Sequence, residues 1–115
     1  MNTTVDSDTP EFDAQTFGTD HSIARIGTGS LGGKALGLLQ IERDILSRFD
    51  PGQFEGVTVR VPQAVVVAVD VFQEFMDRNQ LWNTVHEGLT DNQIAKEFQR
   101  ATQSEEIRQK LRSVL

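Results

Sequence analysis

Between Gly27 and Gly37 the chain reads GTGSLGGKALG, five glycines and one lysine in eleven residues. Glycines lack Cβ, so their backbone N–H groups can approach an anion closely. A helix starting just behind them adds a favourable dipole. Lys34, in the first turn of such a helix, places an ammonium beside the same anion. Without an anion its charge opposes the dipole, and with one the sign reverses. The stretch fits a supple turn with an exposed lysine equally well, and loop chemistry alone does not choose between the two.

Two known phosphate-binding patterns nearly match. A P-loop needs G-x-x-x-x-G-K-[ST], but Thr28 stands where its first glycine belongs and Ala35 where its metal-binding hydroxyl belongs. The loop has the wrong length and lacks the metal ligand, so this reading is rejected. A dinucleotide fingerprint, G-x-G-x-x-G, matches in letters at Gly27, Gly29 and Gly32. It also needs an acid at the end of the next strand to hold the ribose hydroxyls. Val61, Pro62 and Gln63 stand there, and Glu55 comes before the strand. An NAD(P)-binding oxidoreductase is kept only as a weak alternative.

The elements that must position this loop are legible from periodicity. Ser22–Gly27 fits a short strand or a simple approach to the glycines. A helix is expected over about 33–47, with Ala35, Leu38, Leu39, Ile41, Ile45 and Leu46 on one side and Ser30 as N-cap. Glu42 falls inside that apolar arc; its carboxylate is expected to reach past the rim to water, the alternative being a pair with a base such as Arg25 or Arg60. Val57–Val61 alternates like a half-buried strand, interrupted by Pro62. Ala64–Val69 is continuous and β-branched, so it reads as a strand buried on both faces. Asp70 and Gln73 read as a capping box for a helix that carries Val71, Phe72, Phe75 and Met76 inward. A short helical piece at Leu81–Glu87 is stopped by Gly88. Thr90 and Gln93 repeat the capping-box pattern, with Ile94, Ala95, Phe98 and Ala101 as the stripe. Ser104 opens a last helix, with Glu105 and Glu106 in its first turn and Ile107, Leu111, Val114 and Leu115 as its apolar face. That face runs to the last residue with no stop signal, so the chain is expected to be cut from a longer one, the alternative being a natural domain with a frayed last helix.

The bulk properties limit the function classes. With 115 residues, the chain is one small domain or part of a larger one. Its net charge of −6 argues against a broad nucleic-acid surface but not against a local nucleotide site. It has no cysteine, hence no disulfide or thiolate metal site. No apolar run reaches the ~18 residues of a membrane span, and the acidic start is no secretory signal. The expected location is cytoplasmic, with no membrane partner. Residues 1–20 read as a flexible acidic segment that Phe12 and Phe17 can tack to the body.

Two blocks together carry a resemblance: LGGKALGLLQI, Leu31–Ile41, and VRVPQAVVVAVDVFQEFMDRNQLW, Val59–Trp82. They resemble the start of the nucleotide-binding domain of phosphoenolpyruvate synthases and pyruvate, phosphate dikinases. The matching residues are Gly32, Gly33, Lys34, Leu38, Val61, Pro62, Val65, Val66, Val67, Phe72 and Phe75. The resemblance implies an α+β fold (mixed α/β): an incomplete ATP-grasp N-terminal subdomain, helix-rich with a few short strands, over residues 21–115. It implies ATP as ligand, with Mg²⁺ in the full-length parent, and the remainder of the parent chain as partner. Lys34 would contact the phosphates, with the backbone of Gly33, Gly32 and Gly29 beside it. The parent would be an ATP-dependent phosphotransferase. The family's downstream Ala-Val-Arg-Ser-Ser segment and metal-binding carboxylates are absent from this chain, so the piece alone is expected to be inactive. Neither His21 nor His86 has the setting of the family's phosphorylated histidine, and Asp77 and Asp91 read as helix-surface groups. The alternative reading is a non-catalytic regulatory or interaction module on the same fold.

Overall fold

A computed structural model describes residues 8–19 and 22–115. The organising element is strand β1, Ile23–Ile26, with Ile23, Ala24 and Ile26 buried. It is buried because it is flanked on both edges. On one side it pairs in parallel with β2, Ala64–Val67, in the register Ile23↔Ala64 to Ile26↔Val67. On the other lies the chain's own early segment. Phe12 N–H donates to the Arg25 carbonyl at 2.8 Å, and Arg25 N–H to the Pro10 carbonyl at 2.9 Å. Phe12 is buried and meets Phe17 edge to face, 5.4 Å between ring centroids, so the two phenylalanines do act as tacks. The expectation of a flexible segment at 1–20 falls partly on residues 1–7 and 20, which lie outside the described residues.

Parallel strands need a crossover, and here it carries helix α1, Gly33–Gln40. The expected helix to Ser47 does continue, but it widens into a π-helical stretch, Ile41–Ile45, and then tightens into a 3₁₀ turn, Leu46–Arg48. Its first residue follows Gly32 rather than Ser30: Gly32 is the N-cap, with no side-chain cap bond. Glu42, half-buried, lines an open cleft with Asp8, Thr9 and Arg43.

Two strand expectations are corrected. Val57–Arg60 forms no strand and is exposed; Val61 alone of that run is buried. Alternation supplies one apolar face, but this segment finds no ladder partner among the described residues. β2 is not buried on both faces either. Ala64–Val66 are half-buried and Val67 is exposed, because β1 covers one edge and no second layer closes over the strand.

Helix α2, Val69–Arg78, follows at once, with Ala68 rather than Asp70 as its N-cap and no side-chain cap. Val71 and Met76 point inward as expected. Phe72 does not: it is 49% exposed and leans edge-on against Trp82, 6.1 Å away. A tight corner at Gln80, φ +54°, starts helix α3, Leu81–His86, and drives Leu81 into the core. Helix α4, Asp91–Arg100, begins with the expected box: Thr90 N–H donates to Gln93 Oε1 and Gln93 N–H to Thr90 Oγ1. Phe98 of α4 packs toward Phe75 of α2. Helix α5, Glu105–Val114, is capped by Ser104 as expected. Only Ile107 of its apolar face is buried; Leu111, Val114 and Leu115 are exposed. Ile107 joins Phe12, Ala24, Ile26 and Val71 in one core, so the last helix returns to the first strand. Lys110 reinforces the return through Glu11 at 3.3 Å.

The outcome is a helix-rich α+β chain around a two-stranded parallel sheet. Its radius of gyration is 17.9 Å. A compact chain of this length would give about 13 Å. The elongation leaves Val67, Val69, Phe72, Trp82 and Val85 without cover. No helix among the described residues is long and apolar enough to cross a membrane.

Candidate functional site

The glycine loop leaves the C-terminal end of β1 and splits into two halves with different environments. The first half, Gly27–Gly29, is closed. Gly27 sits at φ +102°, a conformation that side chains disfavour, and lets the chain turn off the strand. Against it stands the first turn of α2. Gly29 N–H donates to Asp70 Oδ1 at 2.8 Å, while Thr28 N–H and its hydroxyl donate to Oδ2 at 3.0 and 3.1 Å. These donors favour the charged carboxylate. The Thr28 N–H does most to hold Asp70 below the usual carboxylate range, partial burial pushes back, and the Gly29 N–H and Thr28 hydroxyl add to the lowering. Asp70 therefore does not cap its own helix. Its oxygens are taken by amides about 40 positions upstream, a pairing that local sequence pattern cannot reveal.

The second half, Leu31–Lys34, is open. Buried Leu31 anchors it to the body. Apart from their chain neighbours and the helix's own backbone, Gly32 and Gly33 have no atom within 4 Å of where a Cβ would stand. The first bond of the helical ladder runs from Leu36 N–H to the Gly32 carbonyl at 3.0 Å. The N–H groups of Gly33, Lys34 and Ala35 thus head the helix without an intrahelical acceptor, and no side chain among the described residues caps them. Lys34 is exposed, and no carboxylate among the described residues pairs with it. The arrangement offers three unsatisfied donors, a helix dipole and a free ammonium on one short stretch. That suits a phosphate group.

The four residues singled out for a nucleotide fall on both halves. Gly32, Gly33 and Lys34 are contiguous on the open half, whereas the Gly29 amide faces Asp70. The other chemistry-bearing residues lie elsewhere. His86 ends α3 and is exposed. Asp77 accepts from the Trp82 indole N–H at 2.9 Å. Asp91 sits in the first turn of α4. His21 lies outside the described residues. Among the described residues no three His, Asp or Glu side chains gather as a metal cluster.

No curated protein and no solved structure matches the chain. A family profile does: pyruvate phosphate dikinase, AMP/ATP-binding domain, over residues 28–114. The match takes in the open half of the loop, the crossover, β2 and helices α1 to α5. The chain belongs to the family of AMP/ATP-binding domains of pyruvate phosphate dikinase.

Proposed function

We propose that Gly32, Gly33 and Lys34 contact the phosphate groups of ATP, and that this chain forms one wall of the ATP site of a phosphotransferase similar to phosphoenolpyruvate synthase or pyruvate phosphate dikinase. The observation that carries the reading is the uncapped N-terminus of α1, with its open glycines and unpaired lysine, in a chain of a nucleotide-binding family. The work done here is electrostatic. The loop N–H groups and the Lys34 ammonium neutralise phosphate charge and hold the triphosphate in place. Gly29 supports the loop from behind rather than touching the nucleotide. In the full-length parent, Mg²⁺ would accompany the triphosphate and share the neutralisation of its charge. One wall of a site binds weakly, with a Kd on the order of 1 mM, and does not catalyse transfer by itself.

The test is a titration of the isotopically labelled chain with ATP, followed by amide chemical shifts. The shifts should centre on Gly33, Lys34 and Ala35 and weaken with added salt. Lys34→Ala removes one exposed charge contact worth about 1 kcal/mol, or roughly a fivefold loss of affinity. The same change should leave folding stability unaltered or slightly raised, because the lysine opposes the helix dipole. No shifts at these amides, or equal affinity in Lys34→Ala, would refute the proposal. In the full-length parent, a large loss of ATP turnover in Lys34→Ala marks an enzyme, and intact turnover marks a regulatory module.

A further inference from the structure

The closed half of the loop already holds an anion, and that anion belongs to the chain itself. Three donors from Thr28 and Gly29 converge on the Asp70 carboxylate. A Cβ on Gly27 would stand 2.6 Å from Asp70 Oδ1, and one on Gly29 would stand 2.9 Å from the same oxygen. These two glycines therefore make room for an internal carboxylate, a task different from that of Gly32 and Gly33. Two backbone bonds run alongside. Ala68 N–H donates to the Ile26 carbonyl at 2.8 Å, and Val69 N–H to the Ser30 carbonyl at 3.0 Å. The segment from Ile26 to Ser30 is thus fastened at several points to the start of α2. On its other side the Arg25 guanidinium of β1 donates to the Gly27 carbonyl.

From this geometry we infer that Asp70 is the positioning residue of the phosphate-facing loop. It clamps Thr28 and Gly29 and thereby aims the N-terminus of α1, with Gly32, Gly33 and Lys34, without touching a ligand itself. The inference rests on the proposed role of those three residues. Only Ser30 and buried Leu31 separate the clamped segment from Gly32, so little slack remains to absorb a change at the clamp. Three donors occupy the carboxylate, which keeps its charge directed at the loop rather than at an incoming phosphate. A preorganised loop spares the ligand the cost of ordering it, and loss of that order shows as lost affinity.

The experiment compares the full chain with Asp70→Asn, Gly29→Ala and Asp91→Asn, each checked for folding by circular dichroism. Asp70→Asn offers a donor where the clamp needs an acceptor. Gly29→Ala wedges a methyl against the carboxylate and leaves its charge in place. Asp91→Asn removes a comparable first-turn acid from α4, away from the loop. The first two should each weaken ATP binding about tenfold, and the third should leave it unchanged. In the parent chain the amide shifts of Thr28 and Gly29 should follow one acidic titration that is missing in Asp70→Asn. The amide shifts of Gly32 to Ala35 should move in Asp70→Asn even without ATP. A folded Asp70→Asn protein that binds ATP as tightly as the parent chain, or more tightly, overturns the inference; the tighter case would mean that the carboxylate competes with phosphate for the amides. Absence of ATP shifts at Gly33 to Ala35 in the unmutated chain sinks the nucleotide reading instead. The ligand-free shifts of Gly32 to Ala35 then decide the positioning role alone.

Discussion

Replacing Gly27 by alanine tests whether the loop is closed in the way described. Two costs add. The backbone at φ +102° is one that an L side chain avoids, at about 1–2 kcal/mol. The new methyl would also stand 2.6 Å from Asp70 Oδ1, 2.8 Å from Val71 Cγ2 and 3.1 Å from Ala68 Cβ. Val71 and Ala68 are both buried, so neither can swing aside into solvent. Overpacking of that kind costs about 1–3 kcal/mol. The expected loss is about 2–5 kcal/mol, a large share of the ~5–15 kcal/mol that holds a typical domain folded. Gly33→Ala is the matched comparison. It is the same chemical change six positions on, in a helical residue with nothing within 4 Å. It should be neutral or stabilise by up to about 1 kcal/mol. Urea unfolding followed by circular dichroism measures both. A Gly27→Ala protein within about 0.5 kcal/mol of the parent chain would refute the closed geometry. So would a Gly33→Ala protein destabilised as much as Gly27→Ala.

Acid stability should report Asp70. Its folded-state pKa lies below the ordinary value, so its contribution is present above the unfolded pKa, about 3.9, and is lost as pH falls through the folded value. An acid titration of unfolding should show this loss in the parent chain and lack that component in Asp70→Asn. Asn79 ties the end of α2 to the link between α4 and α5. Its Nδ2 donates to the Phe75 and Thr102 carbonyls at 2.8 and 2.9 Å, and its Oδ1 accepts from Thr102 N–H at 3.0 Å. Asn79→Ala should cost about 1–3 kcal/mol in urea unfolding and speed hydrogen exchange at the Thr102 amide.

What the sequence determined by itself was local. The Thr90–Gln93 box, the Ser104 cap and the stop near Gly88 each depend on residues within a few positions of one another, and these are found where the pattern puts them. The family was legible for a related reason, because two blocks in fixed order carried it. Tertiary structure decided what depends on distant partners. Val57–Val61 had the alternation of a strand and found no ladder partner among the described residues. Phe72 had the spacing of a core residue and came to rest beside Trp82 instead. Asp70 had every local mark of a helix cap, yet its carboxylate was drawn to amides about 40 residues away. That pairing divides one glycine-rich stretch into a clamped half and an open half. Spacing along the chain sets which groups a residue can reach within its own turn; only the folded packing sets which of the competing donors lies nearest.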